Sequence, residues 1–106
     1  MSETTTHFLG TGRRKRASAR VRLIPGGSGK FEINGKDLEV YMYEEALVRT
    51  TVSPLVTADK VGQFDIVAKV QGGGPNGQAG AVRLGVARAL EKFDAELRGD
   101  LKKGGH

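Results

Sequence analysis

A chain of 106 residues with 38% hydrophobic side chains is one domain's worth of protein, able to hold a single core and too short for a multi-domain enzyme. With no Cys, disulfides, thiol nucleophiles, iron–sulfur clusters and Cys-based zinc sites are excluded; stability must rest on packing, and a reducing compartment fits. The net charge of +5 is unevenly placed: residues 1–30 hold seven basic side chains against Glu3 alone, a net +6, and residues 31–106 hold ten basic against eleven acidic, a net −1. Such a distribution marks a polyanion-facing edge on an otherwise neutral domain, the competing reading being a solvated tail. No basic start followed by an apolar stretch opens the chain, and no run approaches the ~18 apolar residues of a membrane span, so a cytosolic protein is expected.

In chain order, the polar segment through residue 7 predicts a flexible terminus, followed by one domain over residues 8–103. Gly10-Thr11-Gly12-Arg13-Arg14-Lys15-Arg16 reads as a flexible cationic loop feeding a strand from Arg16 to Ile24, with Ala17, Ala19, Val21 and Leu23 on one side and Arg16, Ser18, Arg20 and Arg22 on the other. Pro25-Gly26-Gly27-Ser28-Gly29 is turn chemistry, and the alternation of Lys30-Phe31-Glu32-Ile33 makes this strand the hairpin partner of the previous one, closed by Asn34-Gly35. Leu38, Tyr41 and Met42 recur at helical spacing, a second helical stretch covers Glu44 to Val52, and Ser53-Pro54 is expected to interrupt it. Phe64 to Gln71 alternates as a further strand, and Gly72 to Gly77 is a glycine-rich bend. Val82, Val86, Ala89, Leu90 and Phe93 form an amphipathic helix, and Asp94 to Lys103 a short final one. This order specifies an α+β domain, a sheet with helices on one face and the opposite face open.

Catalytic chemistry is poorly supplied. The only histidines are His7 and His106, near the two ends, and the acids have no spacing that gathers a metal, so neither a catalytic residue nor a metal or cofactor site is expected. Gly26-Gly27-Ser28-Gly29 fails as a nucleophile elbow because Lys30 stands where the second glycine belongs, and Gly29-Lys30 fails as a Walker loop at Ile24 and Phe31. Gly72, Gly74 and Gly77 do satisfy G-x-G-x-x-G between a strand and a helix, but no later strand presents an acid to a ribose. What remains is phosphate chemistry: amide groups at a helix N-terminus beside glycines, and Arg20 and Arg22 two residues apart on one strand face, ~7 Å between Cα atoms. Phe31 and Phe64 alternate with polar neighbours and belong to a core, so recognition of nucleic-acid shape and backbone is expected in place of base-stacking.

Gly10-Thr11-Gly12-Arg13-Arg14-Lys15, Ala19-Arg20-Val21-Arg22-Leu23, Phe31-Glu32-Ile33-Asn34-Gly35 and above all Gly72-Gly73-Gly74-Pro75-Asn76-Gly77-Gln78-Ala79-Gly80-Ala81, running into Gly85-Val86-Ala87-Arg88-Ala89-Leu90, resemble the family of ribosomal protein nine of the small subunit. The similarity runs from about Phe8 to Lys103. It implies a two-layer fold of three strands, helix, strand and helix with a left-handed crossover, as in domain two of ribosomal protein five. It also implies a non-enzymatic place in the head of the small subunit of a cytoplasmic ribosome, bound to small-subunit ribosomal RNA beside neighbouring head proteins. By matching motif, Arg13, Arg14, Lys15, Arg20, Arg22 and the loop Gly72, Gly73, Gly74, Asn76, Gly77 and Gln78 would contact RNA backbone. Arg16 and Arg83 complete the expected set, although Arg83 and Arg88 could pair with Glu91 instead. Family members normally continue into a long basic tail that reaches transfer RNA, whereas this sequence ends Gly104-Gly105-His106, which reads as an engineered or processed boundary and leaves no residue to which a transfer-RNA contact is assigned. A small nucleotide-binding protein using the G-x-G-x-x-G loop, and a tailless general nucleic-acid-binding module, are the competing readings.

Overall fold

The expected cationic loop is a strand. In the computed structural model of the chain, which describes residues 7–105, β1 (Phe8–Arg14) pairs antiparallel with β2 (Ala17–Pro25) through the tight turn at Lys15 and Arg16. Gly10 and Gly12 do not loosen this segment; they let it approach a helix. A Cβ at Gly10 would overlap the carbonyl oxygen of Gly85, and one at Gly12 the carbonyl oxygen of Ala81. Both acceptor residues lie in α3 (Pro75–Phe93), where Gly85 in turn clears Val21, whose Cγ2 would stand 2.6 Å from an added Cβ. Glycine's lack of a side chain therefore does packing work here, where the sequence suggested flexibility.

After β2 come β3 (Phe31–Ile33), β4 (Lys36–Asp37), α1 (Leu38–Tyr41), α2 (Glu45–Thr57), β5 (Phe64–Gln71), α3 and α4 (Leu97–Lys103). The sheet order is β1-β2-β5-β3-β4, antiparallel except for the β3–β5 pair. The expected hairpin between β2 and β3 is thus not formed, because β5 enters between them. β5 matches β2 over eight register pairs from Ser18↔Gln71 to Pro25↔Phe64, whereas β3 is only three residues long. The longer apolar alternation makes the better ladder, and the short strand takes the far edge of β5.

Two helix boundaries also move. α2 continues through Pro54 to Thr57 and does not stop at Ser53. The missing Pro54 N–H would leave the Thr50 carbonyl without its helical donor, but the Ser53 hydroxyl donates to that oxygen at 2.8 Å and Ala58 N–H closes on Pro54 O at 3.0 Å. α3 begins at Pro75, so the bend is confined to Gly72-Gly73-Gly74 and Pro75 occupies the first helical position, where its lack of N–H costs nothing.

One face of the sheet carries Ala17, Ala19, Val21 and Leu23 of β2, Phe64, Ile66, Ala68 and Val70 of β5, and Ile33 of β3, all buried against Ala79, Val82, Val86, Ala89 and Leu90 of α3. Phe93 closes the end of this core with edge-on contacts to Phe8 and Phe64, ring centroids 5.5 and 5.0 Å apart. Phe64 is buried and Phe31 half-buried against the same cluster, the core roles expected of them. The residues of β1, β2 and β5 that point the other way are exposed or half-buried. His7 is exposed; the remainder of the expected flexible terminus, and His106, lie outside the described residues.

The glycine contacts make a paired prediction. Gly12→Ala must push α3 off β1 against backbone atoms and should destabilise the domain by more than about 4 kcal/mol in denaturant unfolding. Gly99→Ala, at an exposed position of α4 with nothing within 4 Å of the added methyl, should stabilise it by up to ~1 kcal/mol.

Candidate nucleic-acid interface

The register of β1, β2 and β5 places three rows on the open face. Thr11, Arg20 and Lys69 stand side by side; Leu9, Arg22 and Val67 form the next row towards one end, and Arg13, Ser18 and Gln71 the next towards the other. Neighbouring strands are ~4.8 Å apart, so Arg20 and Lys69 are directly opposed like charges, an arrangement that costs stability by itself and is relieved by an anion. Together with Leu9, Thr11, Arg22 and Val67 they line a shallow groove. Lys69 is a cation that the sequence reading passed over. The β5 alternation already put it on the outer side, but only the pairing of β5 with β2 shows that it faces Arg20.

The β1–β2 turn and the glycine corner meet at one end of this face. A Cβ on Gly72 would overlap the Arg16 carbonyl oxygen, one on Gly73 would stand 3.1 Å from Ala17 Cβ, and one on Gly77 3.4 Å from the Arg14 carbonyl oxygen. The corner is therefore built directly onto the cationic turn. Gly72 and Gly73 both adopt left-handed backbone angles, φ 78° and 66°, so glycine is required there by conformation as well as by space. Lys15, at φ 56°, holds the turn in the same region without that freedom.

These contacts revise how the corner can meet a phosphate. Gly72 and Gly73 are closed against the protein's own hairpin, Gly77 stands at ordinary contact distance from it, and Gly74 has open space where a side chain would be. The first bond of α3 runs from Gln78 N–H to Gly74 O at 2.9 Å, which leaves the Asn76 and Gly77 N–H groups without an acceptor inside the helix. No acidic residue stands in that first turn to neutralise the positive end of the helix. The Gln78 side chain is engaged within the fold: its Nε2 donates to Gly72 O at 3.0 Å and its Oε1 accepts from the Tyr41 hydroxyl at 2.7 Å.

Arg13, Arg14, Lys15, Arg16, Arg20 and Arg22 are all exposed. The only ion pairs among the described residues are Lys30–Glu32 at 2.9 Å and Arg49–Glu45 at 3.4 Å, so no internal carboxylate neutralises these six cations. Arg14 turns to the helix side, where its aliphatic stem covers Gly80, with Cγ 3.0 Å from the position of an added Cβ. Arg83 does not join them: it is half-buried on α3, the helix packed against the opposite sheet face, and its Nε is buried without a partner. Arg88 donates from Nη1 to the Thr11 carbonyl oxygen at 2.6 Å, tying α3 to β1, and neither arginine pairs with Glu91.

The acids of this face sit at the other end. Asp65 Oδ1 accepts from the N–H groups of Lys30 at 3.0 Å and Ser28 at 2.8 Å, which hold its carboxyl below the ordinary carboxylate range. The hydrogen bond and charge of Glu32 raise the Lys30 ammonium above its usual value. Among the described residues no group of three or more His, Asp or Glu could hold a metal ion, and no helix is long and apolar enough to cross a membrane. Among the described residues only α4 follows α3, and no strand does.

A five-stranded sheet layered with helices, with a cationic turn and glycine corner at one end and further exposed cations along its open face, defines a small α+β domain. Residues 12–106 match the family model of ribosomal protein S9/S16, and the chain belongs to that family. It is 53% identical over 94 residues to the small ribosomal subunit protein uS9 of Corynebacterium glutamicum strain R, and equally to that of strain ATCC 13032. The alignment covers 89% of this chain and 51% of each relative, so the chain spans about half the length of the curated relatives it matches.

A depressed carboxyl contributes stability above its ordinary pKa of about 3.9, and that contribution is lost as the pH falls through the lowered value. Asp65→Asn should therefore lower the melting temperature at pH 7, with the gap to the parent closing as the pH drops below about 3.9. A gap unchanged at pH 2.5 would show that the Ser28 and Lys30 contacts do not depend on the charge.

Proposed function

We propose that this chain is a non-enzymatic structural constituent of the small subunit of a cytoplasmic ribosome. A single domain over residues 8–103 would bind small-subunit ribosomal RNA in the head, beside neighbouring head proteins, through contacts to backbone phosphates. The observation that carries this reading is the joining of the unpaired cations of residues 13–16 to the Gly72–Gly77 corner at one end of the sheet, with Arg20, Lys69 and Arg22 continuing from there along the open face, in a chain 53% identical to small ribosomal subunit protein uS9. Arg13, Arg20, Arg22 and Lys69 on the open face, with Lys15 and Arg16 at the turn, neutralise consecutive phosphates of an RNA strand laid across β1, β2 and β5. Amide N–H groups at the start of α3 donate to one further phosphate beside the turn. Recognition is by groove shape and backbone, since the sheet presents Val67 and Leu9 between its cations and no aromatic ring. The same family resemblance supports a left-handed crossover between β3 and β5, the fold of domain two of ribosomal protein five. No contact with transfer RNA is assigned to a residue of this chain.

Binding to a small-subunit head RNA fragment at several salt concentrations tests the reading. The logarithm of the affinity should fall linearly with the logarithm of salt, and Arg20→Ala, Arg22→Ala and Lys69→Ala should each reduce the slope by up to about 0.9. An unchanged slope in all three variants would remove the open face from the interface. Equal affinity for unrelated duplex RNA would favour a general nucleic-acid binder.

A further inference from the structure

A short chain of hydrogen bonds links the Asn34-Gly35 turn to the glycine corner through a tyrosine that no phosphate contact requires. Asn34, at φ 52°, turns the backbone away after β3, yet its side chain continues the ladder: Oδ1 accepts from Val70 N–H at 2.9 Å and Nδ2 donates to Val70 O at 3.0 Å. The same Nδ2 reaches the Tyr41 hydroxyl at 3.3 Å, that hydroxyl donates to Gln78 Oε1 at 2.7 Å, and Gln78 Nε2 donates to Gly72 O at 3.0 Å. Backbone groups at both ends leave one way to orient the whole series. The Val70 N–H needs Asn34 Oδ1, so Nδ2 must face Tyr41; the Gly72 carbonyl needs Gln78 Nε2, so Oε1 must face Tyr41. The hydroxyl can then only accept from Asn34 and donate to Gln78, and aligned donors in such a chain strengthen one another.

We infer that Tyr41, held by Asn34 and acting through Gln78, is a positioning residue for the glycine corner as an RNA-binding element. The inference rests on the function proposed above. Three consecutive glycines have more backbone freedom to lose than any other tripeptide, and two of them must hold left-handed angles for the first turn of α3 to sit beside Lys15 and Arg16. Among the described residues, the Gly72 carbonyl is the only polar group of the corner tied to a distant element by a side chain, through Gln78 Nε2 and Tyr41. α1 exists as a four-residue helix in which Leu38 is buried and Tyr41 is half-buried beside this series. Without the hydroxyl, the corner samples other conformations and the measured affinity falls in proportion to the fraction that remains competent. The charges that meet the phosphates are untouched.

Tyr41→Phe keeps the ring and removes the hydroxyl; Gln78→Met keeps the length and removes both polar atoms of the amide. Each should weaken binding to the head RNA fragment roughly three- to tenfold, the usual worth of one hydrogen bond, with the salt slope of the parent retained. The double variant should be no weaker than the weaker single one, because both break the same series. Independent losses that multiply in the double variant, or affinities equal to the parent in both singles, would overturn the inference. In the unsubstituted protein free of RNA, amide order parameters at Gly73 and Gly74 should be near 0.85, and values below about 0.6 would overturn it without any variant. Should the unsubstituted protein show no salt-dependent RNA binding, the proposed function fails instead, and the order parameters still decide whether the series holds the corner.

Discussion

The contact on which the rest depends is backbone against backbone: β1 lies so close under α3 that Gly10 and Gly12 face the carbonyl oxygens of Gly85 and Ala81 with no room for a methyl group between. Such an approach is open only to glycine, and it draws into the sheet a segment whose composition favours neither strand nor helix. Once β1 is a strand, its turn with β2 must fall beside the start of α3. The cations of residues 13–16 and the amide groups of the helix terminus then share one end of the molecule because of how the core is packed. Arg88, bonded to Thr11 O, secures the same helix–strand pair from its exposed side.

Charge is sorted along the open face by the same register. Arg20 opposes Lys69 in the middle of the sheet, an unfavourable pairing in isolation, while Asp65 is held at the far end by the loop between β2 and β3 and Glu32, beside Val67, pairs with Lys30 of that loop. The fold sets these acids where they anchor that loop, with Val67 standing between Glu32 and Arg22. The surface therefore retains exposed cations without internal carboxylate partners beside the open first turn of α3.

Much of this was legible in the residues. The alternation of Ala17 to Leu23 against Ser18 to Arg22, and of Phe64 to Val70 against Asp65 to Gln71, named the buried and open faces of β2 and β5 correctly, because period-two patterning follows directly from the pleat. The long helix was equally plain from Val82 to Phe93. Three features were not. The strand β1 was hidden by glycines whose purpose lies some 69 to 75 positions further along the chain; the continuation of α2 past Pro54 depends on a hydroxyl from Ser53 that no propensity counts; and the insertion of β5 between β2 and β3 is a competition between ladders, decided by length.

For the interface, the amino-acid order alone determined which side chains are cationic, which face of β2 carries Arg20 and Arg22, and that a glycine-rich bend precedes the main helix. These are local properties, set by the alternation of the chain and by residue chemistry. Only the tertiary structure decided that Lys69 joins Arg20, that Arg83 lies on the helix layer away from them, and that most of the corner's glycines serve the protein's own hairpin. Each of those outcomes depends on which distant backbone comes within contact distance, and that is governed by the packing of α3 on β1 and the pairing of β5 with β2.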